Sequence, residues 1–92
     1  MKKILFFYGN GCPDCTRVSP WMKRLEAEEI VTFERLGVWN EPENEARKQQ
    51  YDDLFIQAYG RATIVPAFVD PNQQRVLCDP KTPEELKEWI QG

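Results

Sequence analysis

The apolar positions fall into short runs whose period changes along the chain. Ile4 to Tyr8 is continuous and apolar, bounded by lysines before it and Gly9-Asn10-Gly11 after it. A run this short, β-branched at its start and aromatic beyond, suits a strand buried on both faces. The spacing then becomes helical. Val18, Trp21, Met22 and Leu25 stand at i, i+3, i+4 and i+7, one stripe facing a sheet. Pro13 opens this helix at its first position, where the missing N–H is no loss. Arg17, Lys23, Arg24 and Glu28 form the opposite face. Pro20 lies inside the helix, removes one backbone hydrogen bond and is expected to kink it.

Val31 to Leu36 reads as a second strand, with the weak alternation of an edge position. Gly37 to Pro42 is a loop. Glu43 to Tyr59 reads as one long helix with Tyr51, Leu54, Phe55 and Ala58 on one face, closed by Gly60. Its acidic first turn suits the helix dipole. Thr63 to Val69 is a third strand interrupted by Pro66, Asp70-Pro71-Asn72 a turn, and Arg75 to Cys78 a fourth strand. Thr82 and Glu85 make a capping box for a last helix carrying Leu86, Trp89 and Ile90. The order is β-α-β-α-β-β-α. The expected class is α/β: a four-stranded mixed sheet, first two strands parallel, last two a hairpin, helices on both faces.

Composition narrows the function. Ninety-two residues with 41% apolar content make one domain, 1–92, with one small core to fill. Twelve Lys and Arg against fifteen Asp and Glu give −3, which argues against a nucleic-acid partner. The five apolar residues of Ile4–Tyr8 fall short of the roughly 7–15 of a signal sequence and lead into Gly-Asn-Gly-Cys-Pro. No run approaches the roughly 18 apolar residues of a membrane span. A cytoplasmic monomer without membrane contact is the expectation. There is no histidine, so triads, proton shuttles and metal sites built on that residue are excluded. Three cysteines are a poor disulfide framework. What remains is to explain Cys12, Cys15 and Cys78.

Cys12-Pro13-Asp14-Cys15 follows a buried strand and starts a helix. Residues three apart on a helix share a face, with Cβ atoms about 5–6 Å apart. A disulfide needs about 3.5–4.5 Å. Placing Cys12 at the non-helical cap closes that gap. Cys12 then sits over the free N–H groups of the first turn, which favour a thiolate. Cys15, one turn in, is expected to be more buried and less reactive. Cys12 is therefore the expected nucleophile and Cys15 the resolving thiol. A structural zinc would need a second ligand pair that the chain lacks. A cluster shared between two chains and a pair of inert buried cysteines compete with the redox reading. No metal or cofactor is expected. Asp14 suits the helix dipole yet opposes a thiolate beside it, so the couple should be rather reducing. Cys78 reads as a small apolar residue of the last strand. Tyr8, Trp21 and Trp39 are candidates for the rim of a peptide-binding surface.

These residues resemble the thioredoxin superfamily. The strand Lys3–Tyr8, the Cys12-Pro13-Asp14-Cys15 motif and Pro20 five residues later match its Cys-X-X-Cys helix with a kinking proline. Ile64-Val65-Pro66 is similar to its cis-proline segment, and Glu84–Ile90 to its last helix. The resemblance implies a thioredoxin-like fold, a cis Pro66 beside the Cys12 sulfur, and a Val65 backbone that pairs with substrate as a strand does. It implies a thiol–disulfide oxidoreductase acting on protein disulfides, recharged by an upstream thiol reductant. The chain also departs from the pattern. Phe6 stands where thioredoxins carry a buried carboxylate, and Gly11 where a tryptophan is common. The glutathione-binding signals of glutaredoxins are missing. A glutathione-dependent glutaredoxin and a redox-silent binding module are the competing functions.

Overall fold

The structure, a computed structural model, describes residues 2–92. Its organising element is β1 (Lys2–Tyr8). Along one edge β1 pairs in parallel with β2 (Val31–Gly37), from Lys2 opposite Val31 to Tyr8 opposite Gly37. Along the other it pairs antiparallel with β3 (Ala67–Asp70), Leu5 opposite Val69 and Phe7 opposite Ala67. β4 (Arg75–Cys78) completes a hairpin with β3, and the sheet runs β2-β1-β3-β4. β2 is an edge strand, as its weak alternation implies.

Side chains alternate across β1, so the sheet has two apolar faces. Ile4 and Phe6 point to a face covered by α1 (Pro13–Ala27) and α4 (Pro83–Gln91), through Val18, Met22, Leu25, Leu86 and Ile90. Leu5 and Phe7 point to the other, where Phe55 packs with Leu36, Val38, Ala67, Val69 and Cys78. Phe68 anchors the first face. Its ring lies 4.9 Å from Phe6, 5.9 Å from Phe33 and 6.4 Å from Trp89. No helix among the described residues is long and apolar enough to cross a membrane.

The class is α/β with a four-stranded mixed sheet, but the order differs from the expected one. The stretch expected as a single helix over Glu43–Tyr59 is two, α2 (Pro42–Gln49) and α3 (Asp52–Tyr59), giving β-α-β-α-α-β-β-α. The break falls at Tyr51, whose φ of −110° and ψ of 11° leave the helical region and whose N–H closes a tight turn on the Lys48 carbonyl at 2.9 Å. Asp52 and Asp53 explain the position. Aspartate is a weak helix former in an interior but favourable in a first turn, where it faces the positive end of the dipole. Ala58, expected on the apolar face, is exposed.

The third strand is also shorter than expected. It starts at Ala67 rather than Thr63, because Pro66 offers no N–H to the ladder. Pro20 does not interrupt α1. The carbonyl it leaves without a helical partner belongs to Thr16, an exposed residue within reach of solvent.

Phe68 is fully buried among three other aromatic rings. Phe68→Ala should cost about 3–5 kcal/mol, read as a lower urea midpoint with the m-value retained.

Candidate active site

The site is built where β1 ends and α1 begins. Gly9 and Gly11 carry the chain out of the sheet, Gly11 with a φ of +84° that a side chain would strain. Cys12 N–H then closes on the Gly9 carbonyl at 3.1 Å. Cys12 is the N-cap of α1, with extended φ and ψ of −73° and 119°. Its sulfur accepts the Cys15 N–H at 3.3 Å, and its carbonyl accepts from both Thr16 N–H and Thr16 Oγ1 at 3.2 Å. Pro13 at the first helical position leaves the Cys15 amide as the donor that the sulfur meets.

All three cysteines are free thiols. Cys12 and Cys15 line one cleft of about 270 Å³ with Phe6, Tyr8, Asn10 and Arg35. Cys15, expected to be the more buried, is so only by a margin: Cys12 is 7% exposed and Cys15 6%. The two differ in electrostatics instead. Burial, then the hydrogen bond and charge of Cys12, push the Cys15 thiol from 9.0 up to about 12. Asp14 adds to that shift. A backbone hydrogen bond from Gly9 works the other way on Cys15 without reversing the shift, while the Cys12 sulfur accepts the Cys15 N–H. Cys15 is thus held as a thiol near neutral pH.

Pro13 and Asp14 are both exposed on the first turn. Val65 packs against the cluster that holds the cysteines and also against the cluster on the other face. The Val65–Pro66 peptide bond is cis, and the Pro66 carbonyl accepts Asp79 N–H at 2.9 Å. Val65 sits just outside the ladder, and neither its N–H nor its C=O is hydrogen-bonded to a described residue. It lines a neighbouring cavity of about 360 Å³ with Trp39, Val38 and Lys48 rather than the cysteine cleft itself. Lys48 is buried there, donates to the Ala62 carbonyl and lies 4.5 Å over the Phe55 ring; burial lowers its pKa. Cys78 is buried in the cluster on the far face of the sheet, away from the pair. Among the described residues no group of three or more His, Cys, Asp or Glu is placed to hold a metal ion.

Three features of the site escape a reading of the sequence. Arg35 lines the cleft because the parallel register sets it opposite Phe6, and Glu26 grips its guanidinium at 2.9 and 3.2 Å. The Arg35 hydrogen bond holds Glu26 below the usual carboxylate range, so this acid stays ionised and is a poor proton acceptor. Trp39 is 48% exposed, yet its indole lies so close over Gly9 that a Cβ there would meet ring carbons at 2.3–2.5 Å. Trp39 thus spans from the cysteine loop to the Val65 cavity. Trp21, the other candidate rim residue, lies elsewhere and is partly buried against the core. Arg17, expected on the solvent face, is half-buried and bound to Asp14 and Asp79. The i, i+3 spacing of Asp14 and Arg17 is the one signal of this contact in the sequence.

Gly9→Ala should displace the Trp39 ring, changing the near-ultraviolet circular dichroism. In Trp39→Ala the same substitution should leave the spectrum unaltered. A second expectation concerns alkaline stability. Burial raises both the Cys15 and the Cys78 thiol from 9.0 to about 12, so the folded protein keeps protons that the unfolded chain releases. That stabilisation is complete below about pH 9 and declines as pH rises towards about 12. A Cys12–Cys15 disulfide removes Cys15 from the balance. Urea midpoints taken between about pH 8 and 10.5 should therefore fall more steeply for the reduced protein than for the oxidised one.

Comparison of the chain with protein-family models, with curated proteins and with solved structures finds no match, and the functional reading rests on the geometry above.

Proposed function

We propose that the protein is a thiol–disulfide oxidoreductase of thioredoxin-like fold that reduces protein disulfides through the Cys12/Cys15 pair. The observation that carries this reading is the asymmetry of the pair. Cys12 caps α1 with its sulfur on a backbone N–H, while Cys15 beneath it is held as a thiol. Two inert core cysteines would need neither the cap nor a cleft open to solvent.

The steps balance as follows. The Cys12 thiolate attacks one sulfur of a substrate disulfide, and the other sulfur leaves as a thiolate. A mixed disulfide now joins Cys12 to substrate. Cys15 gives up its proton, attacks the Cys12 sulfur and expels the second substrate thiolate. Two electrons pass from the dithiol to the substrate, whose sulfurs take up two protons. Phe6 and the ion-paired Glu26 offer no carboxylic base. The thiolate leaving the site is the base that the chemistry itself supplies for the Cys15 proton. An upstream thiol reductant, with which the protein works in the cytoplasm, restores the pair.

Substrate binding follows from the free main chain of Val65. An extended polypeptide can pair with its N–H and C=O as an added strand, with the half-exposed Trp39 beside it. Pro66 holds this segment at the head of β3, and Pro13 and Asp14 face the incoming disulfide from the first turn of α1.

The test is insulin reduction driven by dithiothreitol. Wild type should exceed Cys12→Ser by orders of magnitude, and Cys15→Ser should accumulate a mixed disulfide on Cys12. A wild-type rate equal to the Cys12→Ser background removes the enzyme reading and leaves a binding module. Turnover with a glutathione mixed disulfide alone would instead favour a glutaredoxin.

A further inference from the structure

The motif carries an acid between its two cysteines. Asp14 opposes a thiolate on either neighbour, and nothing in the motif itself offsets it. The offset comes from Arg17, one turn further along α1. Its Nη1 donates to Asp14 Oδ1 at 3.0 Å, and its Nη2 to Asp79 Oδ1 at 2.7 Å and to the Pro80 carbonyl at 3.1 Å. Its guanidinium lies 5.8 Å over the Trp21 ring. Lys81 Nζ holds the other Asp79 oxygen at 2.6 Å. Burial works against the Asp79 charge, but the Lys81 and Arg17 hydrogen bonds win and keep its pKa below the usual range. Asp79 is therefore a charged and permanent anchor near neutral pH.

This differs from an ordinary surface pair. An isolated i, i+3 ion pair contributes little, because two long side chains must give up their freedom to form it. Here the arginine is already fixed from β4's end and by Trp21, so Asp14 meets a guanidinium that waits in place. Residue 17 stands about one turn further into α1 than Asp14, whereas the Cys12 sulfur sits at the N-terminal cap. Holding Oδ1 on Nη1 sets the guanidinium charge directly against the carboxylate, so the two partly cancel at the cap.

We infer that Arg17 is a positioning residue that fixes the Asp14 carboxylate and offsets its charge at Cys12, so that the motif keeps a reactive Cys12 despite its acid. This role rests on the proposed function of Cys12 and adds a control on it. Asp14 and Arg17 reach the pair from its own helix, Tyr8 and Arg35 line the cleft from β1 and β2 with Glu26 bound to Arg35, and Asp79 and Lys81 act from the segment after β4. Of these, only Arg17 touches Asp14.

The experiment is the pH dependence of Cys12 alkylation by iodoacetamide, read at that residue by mass spectrometry in the full chain. Arg17→Gln should move the midpoint upward and slow alkylation at neutral pH by about threefold. In Asp14→Asn the same replacement should change the rate by less than about 1.5-fold, because the group being positioned is gone. Arg17→Lys keeps the charge and loses the fork; it should still slow alkylation, by about twofold, and it serves if Arg17→Gln does not fold. Equal slowing in the wild-type and Asp14→Asn backgrounds would make Arg17 a plain charge and overturn the inference, as would a wild-type profile in Arg17→Lys. Insulin turnover of the same variants separates the two readings. Coupling without turnover removes the enzyme and keeps the positioning; turnover without coupling does the reverse.

Discussion

The pairing of β1 on both of its edges is the constraint from which the site follows. Seven residues of β1 are locked against β2 in parallel, and three of them again against β3. A parallel neighbour requires a crossover, and α1 is that crossover. Its start is therefore fixed at the end of a strand that cannot slip, since a shift of one residue would exchange Phe6 for Phe7 across the sheet. Cys12 gains its place at the cap from this arrangement. Arg35 enters the cleft by the same register.

The electrostatics of the site are assembled from distant pieces of chain. The sulfur of Cys12 rests on an amide three residues away, but the charges around it come from β2, from the end of α1 and from the segment that follows β4. Burial is the first cause of the raised Cys15 thiol, and the neighbouring Cys12 sulfur adds to it. The Cys12 sulfur in turn accepts the Cys15 N–H at the start of α1. Asp14, Glu26 and Asp79 are each committed to arginine or lysine, so the acids of this region are paired in place.

Much of this was legible in the sequence. The double burial of β1, the edge position of β2, the hairpin of β3 and β4 and the cap at Cys12 each follow from local rules of period and turn chemistry. The break before Asp52 was not, because Tyr51, Leu54 and Phe55 keep a helical period straight through it; the dipole preference of two aspartates outweighed that period. The reach of Arg17 to Asp79 spans 62 residues and depends on tertiary placement. The packing of Trp39 over Gly9 likewise needs the β1–β2 register, since nothing in either residue's neighbourhood points to the other.

The sheet also works as an insulator between sulfur atoms. Cys78 is a thiol with the same chemistry as the pair, yet a layer of strands stands between them, Cys12 and Cys15 on one face and Cys78 on the other. Disulfide exchange needs three sulfurs in line, and the folded chain never offers that alignment. In the proposed reaction the pair would cycle without scrambling onto the third cysteine. Any bond from Cys78 to the motif would be a record that β3 and β4 had come away from β1, a covalent trace of unfolding left in the chain itself.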